Sequence, residues 1–480
     1  MMKKISPLLV LAAIISVLLS GCSFFDAAGS VGVEITATSK EDDAPLPVIS
    51  LKTGEPSVIT AASMEKEDDD AAEDEYEGIY DPVEKTYSVK TAEKDRVTMA
   101  FVGDVGFAEG YATINKYRGN GSDIHKSIDD EVLSIMQSAD IMMANNEFPY
   151  SYRGTPTPDK TYTFRADPKD VHIMKDMGVD IVSLANNHAY DYGPDALIDT
   201  IDTLNDARLP FVGAGKNIKE ASHPVYFHAN GHVISVVAAT QIERYGNPDT
   251  KEATSDSPGV MRTLDPAKVV AELEEASANS DFTVMFVHWG TERTDLVEQS
   301  QRDLARAYVN AGADLVIGAH SHCLQGIDFI DDVPVFYSLG NFWFSSKTID
   351  TCIVRATLDE NCHLESVEFI PCIQKGSGVV YASGDNFGRI LEYERGISNY
   401  AQIDDKGFVT RSDSDHNTQN GQNTSPTRKA SDTPADATAV SIEELQKLQE
   451  ALMQNQEQDA GTQDAGAQEA VPDWAVDTGE

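Results

Sequence analysis

The chain has 480 residues, of which 41% are hydrophobic, and a formal net charge of −42. That length leaves room for one large core, or for a domain of about 300 residues between tails. So large an acidic excess argues against a nucleic-acid partner, because phosphate binding depends on Lys and Arg neutralising the backbone.

Lys3 and Lys4 precede an apolar run over residues 7–19, and Leu19-Ser20-Gly21-Cys22 then sets small residues before a cysteine. This resembles a bacterial lipobox, so residues 1–22 are expected to be a lipoprotein signal peptide with Cys22 lipidated. The apolar run is short for a membrane span. The expected location is the outer face of the cell membrane, with help from other contacts, since one lipid chain binds weakly. Residues 23–94 lack sustained periodicity and include the acidic block EKEDDDAAEDEYE at 65–77, which predicts a disordered tether. An extracytoplasmic setting permits disulfides among Cys323, Cys352, Cys362 and Cys372. Their spacing is not that of a structural zinc knuckle, and their pairing stays open.

From residue 95 the pattern becomes that of a folded domain. VTMAFV (97–102) predicts a strand, 128–139 a helix and ADIMMAN (139–145) a second strand. PKDVHIMKDMG (168–178) has Pro near its start and Gly at its end, a helix signature. A strand over 179–185 and a helix over 193–209 follow. Residues 265–278 predict a helix, 281–289 a strand, 301–312 a helix and 313–319 a strand. Asn230-Gly231 between two apolar runs predicts a hairpin. Residues 333–344 and 351–371 also have antiparallel texture. Alternating strands and helices with added hairpins predict an α/β domain over 95–400, with mixed sheets packed between helices. Residues 401–480 turn polar and are expected to be a disordered tail. Near 441–454, Ser441 and Glu444 at capping-box spacing and Leu445, Leu448 and Leu452 on one face predict a short helix.

SLANNHAYDYG (183–193) poses the functional question. Asn, Asp and Gly after a strand make a turn by themselves, but other strands end in the same way. Asp104 follows 97–102; Asn145, Asn146 and Glu147 follow the second strand; Asn187 and His188 follow the third. His288 and Glu292, then His320 and His322, then Asn341 end later strands. Each alone is ordinary, but in open α/β sheets ligands bind at the carboxyl ends of strands, so these residues are expected to share one rim. Oxygen and imidazole donors without thiolates suit Mn²⁺, Zn²⁺ or Fe²⁺. No GxSxG elbow occurs, and His322 and Cys323, adjacent on an extended chain, point to opposite faces, so serine and cysteine nucleophiles are set aside.

GDVGF, NNEFPYS, YTFRADP, SLANNHAYDYG, VHWGTE, GAHSH and SLGNFWF occur in this order across residues 97–345. As a set they resemble the bacterial CapA family of poly-γ-glutamate capsule synthesis, a distant relative of calcineurin-like metallophosphoesterases. The resemblance implies a four-layer αββα metallophosphoesterase-like sandwich holding one or two divalent ions. It places Asp104 and His322 at a first metal position, Glu147 as a bridging carboxylate, and His288 and His320 at a second. Asn187 becomes an amide ligand and His188 the imidazole facing the leaving group, while Arg165 and Asn341 are candidate substrate contacts. An ion pair of Arg165 with Asp167 or Asp170 is the competing role. One departure matters: Gly106 stands where those phosphoesterases have the histidine of Asp-x-His, so one ligand is missing.

Three functions fit. The first is a membrane-anchored hydrolase or transferase acting on poly-γ-glutamate or a cell-envelope glycan. The second is a non-catalytic accessory of a membrane synthase, and the third an extracellular phosphoesterase. An anionic polymer would need local cations against so acidic a chain, and Arg153, Lys160, Arg165 and Arg293 lie near the motifs.

Overall fold

The computed structural model describes residues 78–242, 250–263 and 265–413. The chain begins with β1 (Tyr80–Asp81), β2 (Thr86–Ser88), β3 (Val97–Val105), α1 (Ala112–Gly119), α2 (Asp130–Gln137) and β4 (Ile141–Asn146). Next come α3 (His172–Asp176), β5 (Ile181–Ser183), α4 (Pro194–Asp206), β6 (Phe211–Val212), β7 (Ala214–Gly215) and α5 (Ile218–Ser222). The hairpin β8 (Val225–Ala229) and β9 (His232–Thr240) leads to β10 (Gly259–Val260), α6 (Pro266–Ala278), β11 (Phe282–His288), α7 (Gln299–Asn310) and β12 (Leu315–Ala319). Then follow β13 (Leu324–Ile330), β14 (Val333–Leu339), β15 (Asn341–Trp343), β16 (Ile349–Leu358) and β17 (Leu364–Gln374). The described part closes with β18 (Val379–Tyr381), α8 (Asp385–Ile397), β19 (Ala401–Ile403) and β20 (Phe408–Arg411).

Two large mixed sheets result. One runs β1-β2-β8-β9-β11-β12-β14-β13; the other runs β19-β20-β17-β16-β3-β4-β5-β6, with β15 on β3 and β18 on β17. Each contains a parallel run, β9-β11-β12-β14 in the first and β3-β4-β5-β6 in the second. Side-chain alternation sorts the strands into layers. Val97, Met99 and Phe101 of β3 share one core with Phe282, Val284 and Phe286 of β11, which places the sheets face to face. Ala100 and Val102 point the other way, onto Val132 and Met136 of α2 and Leu197 and Ile201 of α4. Met285 and Val287 likewise meet Leu273 of α6 and Leu304 and Tyr308 of α7. The arrangement is the expected αββα sandwich.

Local chemistry explains most boundaries. Asp129 and Asp265 cap α2 and α6 by accepting from Glu131 N and Ala267 N, and Glu298 with Gln301 forms a capping box on α7. Asn230 (φ 53°) and Gly231 (φ 78°) make the predicted tight hairpin turn. Helices α1 and α8 start at Tyr111 and Gly384 without a side-chain cap, so the sequence carries no such start signal for them.

The folded part is wider than the 95–400 domain. Within the expected tether, β2 pairs with β8, and Tyr87 is buried with its ring 5.1 Å from Tyr80 and 5.9 Å from Phe227. Beyond residue 400, β19 and β20 extend the second sheet and bury Ala401, Ile403 and Val409. Strands of two to four residues amid acidic sequence are too short to show a period of two. Cys22 and the helix near 441–454 lie outside the described residues. Cys323, Cys352, Cys362 and Cys372 are all free thiols.

Gly103 is where β3 meets the Gly340 turn: Asp104 N donates to Gly340 O at 3.0 Å, and a Cβ on Gly103 would lie 1.9 Å from that oxygen. Gly103→Ala is therefore expected to cost ~1–3 kcal/mol by overpacking. Gly388→Ala, on α8 with open space around it, should instead stabilise by about 0.4–1 kcal/mol. Chemical denaturation of the two variants checks the opposite signs.

Candidate metal centre

The carboxyl ends of both parallel runs meet at one edge of the sandwich, and the predicted rim residues converge there. The second sheet supplies Asp104 from β3, Glu147 just past β4, and Asn187 and His188 after β5; the first supplies His288 from β11 and His320 and His322 after β12. All seven are buried. Neither Asn186 nor Asn187 takes the left-handed backbone that a plain asparagine turn would use, whereas His320 (φ 98°) and His322 (φ 56°) do have positive φ. Such a conformation costs about 1–3 kcal/mol and persists where its surroundings impose it.

His288 Nε2 lies 2.9 Å from Asn187 Oδ1, 3.0 Å from His320 Nδ1 and 3.6 Å from Glu147 Oε1. On the other side His322 Nδ1 is 3.2 Å from Asp104 Oδ2 and 2.8 Å from Asn341 Oδ1. Asn145 sits between the carboxylates, its Nδ2 at 2.8 Å from Asp104 Oδ1 and 3.4 Å from Glu147 Oε2. Asn186 holds Asn145 in turn by donating to its Oδ1 at 3.0 Å.

Burial pushes Glu147 well above the usual carboxylate range, and the neighbouring Asp104 charge pushes it further. Burial also raises Asp104, but its hydrogen bonds and charge contacts with His322 and its bond from Asn145 outweigh that and leave it low. Burial and the nearby imidazoles hold His288 well below its ordinary value, and burial brings His320 down to about 4. Neutral imidazoles are the form that binds a metal.

The donor set fits a divalent ion. Two overlapping groups, Glu147 with His288 and His320, and Asp104 with Glu147 and His322, each bring their ligand atoms within 4.8 Å of one another. Glu147 Oε1 is buried and accepts no hydrogen bond, an expensive state that a cation would relieve.

Around this core lie residues whose role the sequence concealed. Asp191 Oδ2 is 2.7 Å from His188 Nδ1 and accepts from Phe164 N at 2.6 Å. Its Oδ1 takes Lys160 Nζ at 2.6 Å, and that ammonium also donates to Asn187 O at 2.5 Å. The ring of Phe164 packs 4.2 Å from that of His188. Asp191, three residues after His188, looks like a turn residue in sequence; its only signal was that spacing.

The two candidate substrate contacts have partners within the protein. Asn341 receives the His322 ring and so orients it. Arg165 makes neither carboxylate pair: Asp170 is held by Arg118 at 2.6 Å, and Asp167 accepts from the Tyr152 hydroxyl. Its guanidinium lies 4.1 Å over the Tyr192 ring and donates to Arg153 O at 3.3 Å. Cys323, beside the histidines, is pushed up to about 11 by burial, which leaves it a poor nucleophile.

Fold and site together define a metallophosphoesterase-like α/β sandwich with a buried carboxylate, amide and imidazole centre. The profile of the family described as "Bacterial capsule synthesis protein PGA_cap" matches residues 98–346, and the chain belongs to that family. It is 32% identical over 282 residues to the PGA biosynthesis protein CapA of Bacillus subtilis, covering 58% of this chain and 72% of that one. The capsule biosynthesis protein CapA of Bacillus anthracis is 32% identical over 301 residues, covering 60% and 70%. A probable polyglutamine synthesis accessory protein of Mycobacterium tuberculosis is 26% identical over 219 residues, covering 44% and 58%.

The Lys160–Asp191 pair is buried, with side chains 4% and 0% exposed. Asp191→Ala leaves an uncompensated ammonium and is expected to cost ~3–5 kcal/mol, whereas replacing both partners by apolar residues should recover most of that. A double-mutant cycle by chemical denaturation reads the difference.

Proposed function

We propose that the protein is a divalent-metal-dependent hydrolase or transferase acting on an anionic cell-surface polymer of the poly-γ-glutamate type. In this proposal, lipid on Cys22 holds it at the outer membrane face. The observation that carries the reading is the unpartnered Glu147 oxygen facing two imidazoles and an amide, in a family named for capsule synthesis. A cation held there by Glu147, Asn187, His288 and His320 would polarise a carbonyl or phosphoryl oxygen and lower the pKa of bound water.

The chain's own residues supply the rest. Asp191 accepts a hydrogen bond from Nδ1–H of His188, which leaves the Nε2 lone pair toward the centre, 3.9 Å from Glu147 Oε1. Burial lowers the His188 pKa and favours the neutral ring, so Nε2 is placed to take up a proton and hand it on. Phe164 limits the motion of that ring. The second reading, an accessory subunit that binds a synthase or nascent polymer without cleaving it, is favoured by Gly106, which supplies no ligand, and by the mycobacterial relative, whose name is that of an accessory protein.

Metal-loaded and metal-stripped full-length protein should be compared on poly-γ-glutamate, with chain length read by gel filtration and a chromogenic phosphodiester as control. Shortening of the polymer only by loaded protein is expected. His288→Ala and His320→Ala should lose metal and activity together, while His188→Ala keeps metal and loses at least about tenfold in turnover. Polymer that binds without changing length in every metal state would sink catalysis and leave the accessory role.

A further inference from the structure

We propose that the centre holds a single metal ion, between Glu147, Asn187, His288 and His320, and that the adjoining Asp104–His322 side is closed to a second. The inference rests on the metal reading above and refines it to a stoichiometry and a ligand set. The two candidate groups share Glu147, so proximity alone does not separate them. The state of their donor atoms does.

On the first side the ligand atoms converge on one another, and one of them, Glu147 Oε1, accepts no hydrogen bond. A four-coordinate ion with bonds of about 2.0–2.1 Å has ligand–ligand edges of roughly 3.3 Å. The distances from His288 Nε2 to Asn187 Oδ1, His320 Nδ1 and Glu147 Oε1 are 2.9, 3.0 and 3.6 Å, which bracket that value. The nearest imidazole nitrogens stand 3.6 and 3.9 Å from Glu147 Oε1, beyond hydrogen-bond reach.

The second side is already satisfied. Asp104 Oδ1 accepts from Asn145 at 2.8 Å, and its Oδ2 accepts from His320 N at 3.4 Å and faces His322 Nδ1 at 3.2 Å. Nδ1 of His322 faces oxygens of both Asp104 and Asn341 and so carries the hydrogen, which leaves Nε2 as the one donor His322 could offer. The neighbouring space is filled with carbon. Phe344 packs 5.0 Å from the His322 ring and meets Phe164 edge-on at 5.5 Å. Its backbone N–H is fixed to Gln374 Oε1 at 2.8 Å. A Cβ at Gly106 would lie 2.7 Å from Cδ2 and 2.8 Å from Cε2 of the same ring. No side chain can enter from position 106 while Phe344 is there. A second dication would face an apolar wall in place of a ligand or water, at a high desolvation cost. Asp104 is thus a positioning residue: it holds the Asn145 amide and the His322 ring beside the ion.

The test is metal stoichiometry of the full-length protein after equilibrium dialysis against excess Mn²⁺ or Zn²⁺, measured by elemental analysis. One equivalent per chain is expected for the native protein and for Asp104→Asn, and none for Glu147→Gln or His288→Ala. Gly106→His combined with Phe344→Ala should add a second equivalent if it folds; the native value decides the matter without it. Two equivalents in the native protein overturn this inference and leave the metal reading standing. Loss of the single equivalent in a folded Asp104→Asn protein, judged by its circular dichroism, also overturns it. No metal in the native protein overturns both.

Discussion

Glu147 and Asp104 are two carboxylates buried at 0% exposure, and a single amide, Asn145 Nδ2, reaches both. Asp104 gathers further donors and stays ionised, while Glu147 is left with an oxygen that nothing contacts through a hydrogen bond. Burial and like charge disfavour a second free anion, so Glu147 must be either protonated or paired with a cation. The low-lying imidazoles of His288 and His320 decide which cation suits: they are built to remain neutral, and neutral imidazole beside a carboxylate is a metal-binding set.

This constraint depends on the seam between the sheets. Asp104, Glu147, Asn187 and His188 come from one sheet and His288, His320 and His322 from the other, so neither sheet holds a centre alone. Close backbone approach keeps the seam tight. Gly103 leaves room for Gly340 O where the first sheet's β14 passes to β15 on the second, and within the first sheet Gly318, two residues before His320, leaves room for Tyr337 O, which a Cβ would meet at 2.0 Å. His320 and His322 both lie on the turn after β12 with positive φ, a backbone that persists where its surroundings impose it.

The alternation of strands and helices, the hairpin and the strand-end donors were legible because period, capping and sheet polarity leave marks on local sequence. Asp104, Glu147, Asn187, His288, His320 and His322 all arrive where the strand-end pattern puts them. What the sequence hid depends on tertiary contact. Lys160 reads as a local cation near the motifs and is in fact buried against Asp191, Asp191 reads as a turn residue, and the hold of Asn341 on a histidine has no local mark. Gly106 shows a missing ligand in sequence, yet only the folded chain shows Phe344 occupying that space. The edge strands β1, β2, β19 and β20 are too short for periodicity, so the folded part extends past both ends of 95–400 without a mark in the sequence.

The charge of the chain bears on how a polyanion would be met. Of the four cations near the motifs, Arg153 is tied to Asp199 and Asp195, and Lys160 is neutralised by Asp191. Arg293 lies 3.9 Å from Glu292, and Arg165 keeps its charge at the surface, stacked on Tyr192. A net charge of −42 repels a polyanion at long range, although salt screens that field within about 8–10 Å. Attraction must therefore be local and short-ranged, and a buried dication is the strongest local source that the site chemistry allows. With only one such ion, a carboxylate or phosphoryl group at the centre would be held from one side, because Lys160, whose ammonium reaches Asn187 O, already spends its charge on Asp191.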